Sequence, residues 1–206
     1  MDAVIFDVDG TLWDSRAEVA DSWRLLCSVR KVPCAHITPE RLKAEFGKPM
    51  SAIADSLFPD LPENERLALG RELCDFEVEY LKTHFPNVYD GVRELFTALT
   101  KRGLPLFIVS NCQAGYIEDL LETNNLTEYV KDHLCPDDTG LDKAGNIREI
   151  IRRYSLTDPV YVGDTMGDFS AANASGCPFI HAAYGFGEVP EAGRSIEEPL
   201  GLLKWM

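Results

Sequence analysis

Short apolar runs alternate along most of the chain with longer stretches whose apolar positions recur every three or four residues. That alternation predicts parallel strands joined by crossover helices. The first strand falls at about 3–7, in Ala3-Val4-Ile5-Phe6-Asp7. Further strands are predicted at 104–109, 159–162 and 178–182, with a short one within 129–134. A helix starts at Ser15, with Ala17, Ala20, Trp23, Leu26 and Cys27 at helical spacing, and Glu18 completes a capping box. Other helices are expected at 92–101, 114–123, 143–154 and 168–174, with a short apolar helix at 200–205. The acidic stretch from Glu188 to Glu198 reads as a surface loop.

From about residue 38 to 84 the pattern is helical only. Thr38-Pro39 marks an N-cap and first turn, Pro59, Leu61 and Pro62 mark a break, and Glu63 to Lys82 forms a long amphipathic helix. This segment reads as a helical insertion between the first strand and the rest of an α/β parallel sheet covered by helices on both faces. The expected division is a core of residues 1–14 and 86–206 with an inserted helical domain at 15–85.

Chemistry gathers at the strand ends. Two carboxylates, Asp7 and Asp9, follow the first apolar run just before Gly10-Thr11. Residues two apart in a strand point the same way, and like charges held that close repel unless a cation or a shared proton compensates. Ser110-Asn111 ends the second strand, Gly163-Asp164 ends the third, and Asp168 lies one helical turn further on. Lys143 opens a helix between them. Open parallel sheets bind ligands at the carboxyl ends of their strands, so these clusters converge. The set suits phosphoryl transfer. Asp7 is placed to attack phosphorus, and Asp9 to protonate the leaving oxygen and then deprotonate water. Asp7, the Asp9 carbonyl and Asp164 offer oxygens to Mg²⁺, with Asp168 binding through water or orienting Asp164. Ser110, Asn111 and Thr11 are candidate phosphate contacts, and Lys143 is the fixed cation.

The 206 residues carry a net charge of −14. Such a surface argues against nucleic acid and anionic membranes as partners, but not against a small anionic substrate in a cleft where a Lys and a metal reverse the field. No segment approaches 18 consecutive apolar residues, and no basic-then-apolar signal is seen at the start, so a soluble, cytoplasmic protein is expected. The oligomeric state is left open by the sequence, and a monomer is favoured because no unusually apolar helix face demands a partner. The six cysteines form no Cys-x-x-Cys pair and are expected as free thiols.

With these residues in view, the chain resembles the haloacid dehalogenase superfamily. Asp7-Val8-Asp9-Gly10-Thr11 resembles its first motif, Ser110 its second, Lys143 its third, and Gly163-Asp164-Thr165-Met166-Gly167-Asp168 its fourth. The phosphoglycolate-phosphatase-like branch fits best, because a helical insertion follows the first motif. The resemblance implies a Rossmann-like core, a small all-helical cap, Mg²⁺, a nucleophile at Asp7 and an acid/base at Asp9. Dehalogenases of the superfamily lack the second Asp, so Asp9 points to a phosphatase acting on a small phosphomonoester such as phosphoglycolate or a sugar phosphate. A phosphosugar mutase uses the same intermediate, and a non-catalytic binding module on this fold is the remaining alternative. Many phosphoglycolate-type members carry Gly-Lys-Pro at the third motif; here the segment is Thr139-Gly140-Leu141-Asp142-Lys143. Within the insertion, Phe46-Gly47-Lys48-Pro49-Met50 breaks the helical pattern, and Lys48 is the candidate contact for the substrate's non-phosphate end.

Overall fold

The structure, a computed structural model, describes residues 1–205. The chain forms two compact units, Met1–Asp14 with Asn87–Met206, and Ser15–Pro86. Strand β1 (Ala3–Phe6) opens the first unit.

The second unit contains α1 (Arg16–Arg30), α2 (Pro39–Lys43), α3 (Met50–Leu57) and α4 (Glu63–Leu81). Val19, Ala20, Trp23 and Cys27 of α1 bury one face against Ile37, Leu42, Ile53, Leu57, Leu69 and Leu73. Thr38 caps α2, its side chain accepting from Arg41 N at 3.2 Å. Ser15 occupies the N-cap position of α1, yet its side chain makes no cap hydrogen bond; its ψ of 3° departs from the extended backbone that a capping box uses. Lys31, with φ 58°, ends α1 in the left-handed conformation. One buried carboxylate, Glu45, is held by Arg41 at 2.6 Å, Lys48 at 2.8 Å and Ser56 at 2.7 Å. Burial raises its pKa, but these partners outweigh that and leave it below the ordinary range.

The first unit continues with α5 (Val92–Lys101), β2 (Leu106–Val109), α6 (Tyr116–Thr123), β3 (Val130–Leu134), α7 (Pro136–Thr139), α8 (Lys143–Tyr154), β4 (Pro159–Gly163), α9 (Met166–Ser175), β5 (Phe179–Ala182) and β6 (Ser195–Ile196). All pairings are parallel, in the order β3-β2-β1-β4-β5-β6. Strands β1, β2 and β4 are buried throughout, as a sheet covered on both faces requires. Ala3, Ile5, Phe107, Val109 and Tyr161 face a core shared with Ile147, Ile150 and Ala172 of α8 and α9. Phe6 points the other way and meets Phe96 of α5, ring centroids 5.2 Å apart. The alternation of side chains therefore directs residue 7, like residues 3 and 5, toward the α8/α9 side.

The stretch Glu188 to Glu198 is not wholly loop: Ser195 and Ile196 form β6 beside β5, and Val189 and Ile196 are buried. Single apolar residues among acids are enough to seat a two-residue edge strand, a signal too short for periodicity. The C-terminal apolar segment docks as a 3₁₀ helix at Pro199–Trp205. Among the described residues no helix is long and apolar enough to cross a membrane.

Candidate active site

The site sits at the carboxyl edge of the sheet, where the strand order reverses about β1. Register pairs Phe6 with Ile108 on one side and Val162 on the other, so Asp7, Ser110 and Asp164 leave neighbouring strands at nearly one level. Asp7 N donates to Val162 O at 2.8 Å, which fixes the nearest two strands where the first carboxylate emerges.

Lys143 ties the cluster together. It opens α8, where Asp142 is the N-cap and accepts from Gly145 N at 2.7 Å. Its ammonium lies 2.8 Å from Asp7 Oδ1 and 2.6 Å from Asp168 Oδ1. Asp168 is fixed at its other oxygen by Thr165 N at 3.0 Å and Thr165 Oγ1 at 2.7 Å, closing a capping box at the start of α9. Tyr161 OH donates to Val109 O at 2.8 Å and lies 3.4 Å from Asp168 Oδ1. Asp164 Oδ2 accepts from Phe186 N at 2.7 Å, while its Oδ1 is buried without a hydrogen-bond partner.

Three carboxylates, Asp7, Asp164 and Asp168, offer oxygens that all lie within 4.8 Å of one another, and all three residues are buried. One ammonium faces them. Burial, then the Asp168 charge, raises Asp7 to about 7 despite Lys143. Burial, then Asp168 and Asp7, raises Asp164 to about 8. Burial also works against an ionised Asp168, but Lys143 and Thr165 outweigh it and hold its pKa below the ordinary value. Burial disfavours the Lys143 ammonium, yet Asp168 and Asp7 overcome this and raise its pKa. The surplus of negative charge and the orphaned Asp164 oxygen fit a hard divalent cation, which takes oxygen ligands. The donor set is all oxygen, with no thiolate or imidazole in it.

Glycines make the close approach possible. Gly10 has φ 81°, and a Cβ there would lie 2.0 Å from Asp164 Oδ2. A Cβ on Gly185 would lie 2.4 Å from Asp164 Cβ and from Gly10 O.

Asp7, Asp164, Asp168 and Lys143 come together. Ser110 follows β2 at the same edge and is buried, its N–H donating to Leu134 O at 3.3 Å. Asn111 follows it in the loop leading to α6. Thr11 is buried in the turn after β1, its hydroxyl without a hydrogen-bond partner. Asp9 departs from the expected geometry. β1 ends at Phe6, and Thr11 N and Leu12 N both return to Val8 O, so Asp9 lies in a turn and not in a continued strand. Its carboxylate is not a member of the three-aspartate group; it accepts at Oδ1 from Trp13 Nε1 at 3.0 Å and Tyr116 OH at 2.7 Å. The metal role expected of Asp9 falls to its backbone carbonyl, not to this carboxylate. Lys48 belongs to the helical unit, following Gly47 with φ 85°, and its ammonium pairs with Glu45.

Sequence reasoning missed Trp13, Tyr116, Tyr161 and the Gly185-Phe186 turn. A tryptophan four residues after Asp9 is a visible signal for the first. Nothing local in the sequence points to the other three.

A lysine-bridged set of buried aspartates at the carboxyl edge of a parallel α/β sheet defines a class of hydrolases. The family model for haloacid dehalogenase-like hydrolases matches residues 4–182, and the chain belongs to that family. It is 28% identical over 191 residues to a phosphoglycolate phosphatase of Photorhabdus laumondii, covering 89% of this chain and 81% of that one. It is also 28% identical over 204 residues to a phosphoglycolate phosphatase of Nitrosospira multiformis, covering 95% and 87%. Its fold matches that of a haloacid dehalogenase-like family hydrolase from Streptococcus pneumoniae with a TM-score of 0.83 at 19% identity, covering 100% of this chain and 98% of that one.

Proposed function

We propose that this hydrolase is a Mg²⁺-dependent phosphatase that acts on a small phosphomonoester through an aspartyl-phosphate on Asp7. The observation that carries the reading is the Asp7–Lys143–Asp168 bridge beside the orphaned Asp164 oxygen. Asp7 and Asp164, with the Asp9 carbonyl, are the residues to hold the ion, and Asp168 steadies the site through Lys143 and Thr165. When bound, the cation supplies positive charge that neutralises phosphate oxygens and favours the ionised form of both raised carboxylates.

The chain's own residues then divide the work. An Asp7 oxygen attacks phosphorus as the bond to the ester oxygen breaks, and Asp9 gives that oxygen its proton. Water next attacks the phosphorus of the acyl phosphate while Asp9 takes a proton from it. Phosphate leaves and Asp7 returns as a carboxylate. Lys143 offsets charge that develops near Asp7, and Ser110 with the adjoining backbone N–H groups holds phosphate oxygens. Phosphoglycolate and sugar phosphates are the substrate class, a reading supported by the relatives' names. The deciding experiment is a panel of phosphorylated metabolites assayed with Mg²⁺ for free phosphate and for isomer. Phosphate release supports the reading; transfer back to substrate without release makes the protein a mutase instead.

The charge imbalance carries a stability prediction. Asp7 and Asp164 have folded pKa values raised to about 7 and 8 from 3.8, so between about pH 4 and 8 the folded chain holds more protons than the unfolded one. Their contribution favours folding at low pH and is lost as pH rises through those values. Metal-free protein should therefore show a falling Tm contribution from pH 5.5 to 8.5, and Mg²⁺ should raise Tm more at pH 8.5 than at 5.5, because binding must displace those protons. A Mg²⁺ shift that is equal at both pH values counts against these carboxylates as its site.

Lys48 is proposed to meet the substrate's non-phosphate end. It stands in the Gly47-Lys48-Pro49 break between α2 and α3, with its side chain about half exposed and anchored to a buried acid. Lys48→Ala should raise KM for esters with an anionic tail by about five- to tenfold and leave kcat nearly unchanged. Unchanged KM across the panel removes the assignment.

A further inference from the structure

Asp9 is gripped by two side chains that stand outside the phosphoryl-transfer steps. Trp13 Nε1 and Tyr116 OH both donate to the same oxygen, Asp9 Oδ1, at 3.0 and 2.7 Å. Trp13 lies in the turn that follows β1, and its backbone bridges to Asp9 on one side and Val88 on the other. Tyr116 is the first residue of α6, beyond the loop that begins at Ser110. The two rings meet edge to face, centroids 5.4 Å apart at 84°, and both residues are buried. A buried tyrosine hydroxyl or indole N–H needs a partner, so each donor is committed to this carboxylate at a cost if it lets go. The rings are braced against each other, so neither donor can swing aside alone.

Two donors on one oxygen hold the carboxyl group in a single orientation. We infer that Tyr116, together with Trp13, is a positioning residue for Asp9 that aims its carboxyl group at the leaving oxygen. The inference rests on the phosphatase reading. In the step it serves, the proton passes from the Asp9 carboxyl group to the ester oxygen as the phosphorus–oxygen bond breaks. Tyr116 and Trp13 exchange no proton; they keep their bonds to Oδ1 before and after. A proton acid matters most when the leaving oxygen is a poor leaving group, and little when it departs as a stable phenolate.

The experiment is Tyr116→Phe, which removes one oxygen and keeps the ring against Trp13. It compares kcat/KM for glycerol phosphate, whose alkoxide needs a proton, with that for p-nitrophenyl phosphate, whose phenolate does not. The expected result is a loss of about tenfold or more on the alkyl ester and less than about twofold on the aryl ester, with Tm close to wild type. A merely structural role moves both esters together. Equal losses on both, or no loss on either, overturn the inference. Should Tyr116→Phe fail to fold, Trp13→Phe removes the other donor to the same oxygen and is read by the same ratio. Asp7→Asn run alongside separates two failures. Hydrolysis that survives Asp7→Asn removes the phosphatase reading and this inference with it. Hydrolysis abolished by Asp7→Asn, beside an unchanged ester ratio in Tyr116→Phe, removes only the role given to Tyr116.

Discussion

Asp7→Asn is expected to lower phosphate release by at least about a thousandfold while leaving the fold intact. The amide matches the carboxylate in shape but cannot carry a phosphoryl group as an acyl phosphate, so the two-step route closes. Nothing else in the cluster can take its place. Asp168 is fixed at both oxygens by Lys143 and Thr165, and Asp164 is held by Phe186 N on the far side of the group. Stability should not suffer. Burial and the neighbouring Asp168 charge already raise Asp7 to about 7, so at pH 8 the metal-free protein carries an ionised group its surroundings disfavour. A neutral side chain removes that repulsion, and the metal-free variant should melt no lower than wild type at pH 8. The Mg²⁺-induced shift should shrink, because a neutral amide offers the ion a weaker ligand than a carboxylate. The checks are steady-state phosphate release and a melting curve with and without Mg²⁺. Release within tenfold of wild type removes Asp7 as nucleophile.

Much of this site was legible because a parallel sheet converts strand ends into neighbours. Asp7, Ser110 and Asp164 each follow a run of buried apolar residues, and the sheet order places β2 and β4 on either side of β1. Lys143 was legible as the opening residue of a helix that must pack back onto that sheet. Residues 3 and 5 share the side of the sheet that α8 and α9 cover, which the sequence alone does not assign. What failed to show was whatever depended on a turn. Period-two alternation predicts that Asp9 continues the line of Asp7, but the chain leaves the strand after Phe6 and folds back on Val8 O. The two carboxylates consequently serve different partners, one a lysine and the other a tyrosine and a tryptophan. Tyr116 is 107 residues from Asp9, and nothing in the spacing of α6 marks its first residue for that contact. The tight seat of Asp164 against Gly10 and Gly185 was hidden for the same reason: close backbone approach leaves only a glycine in the sequence, and turns contain glycines for many causes. Ser15 and Glu18 matched a capping pattern, yet the cap bond is absent, because the chain enters α1 without the extended conformation at Ser15.

Lys143→Met is expected to destabilise the metal-free protein by about 3–5 kcal/mol at pH 8, the range for breaking a buried ion pair by removing one partner. Methionine keeps most of the aliphatic stem, so the loss comes from charge and not from a cavity. Lys143 is the ammonium that faces Asp7 and Asp168, both buried, and its absence leaves three carboxylates with none. The effect should depend on pH in one direction. Asp7 and Asp164 already have raised pKa values, and without Lys143 they rise further, together with Asp168. At pH 5.5 the folded variant takes up protons at these groups readily and sheds the repulsion; at pH 8 the same uptake costs more, because protons are scarcer. Stability of the variant should thus fall more steeply with rising pH than that of wild type, and the gap between the two should narrow at pH 5.5. Added Mg²⁺ should recover part of the loss at pH 8, since a cation placed among the carboxylates replaces some of the missing charge, while turnover stays low because Asp7 has lost the group that orients it. Denaturant unfolding at the two pH values, with and without Mg²⁺, is the check. A destabilisation that is the same at pH 5.5 and 8 would mean that the packing of the lysine stem, and not its charge, is what holds α8 to the strand ends.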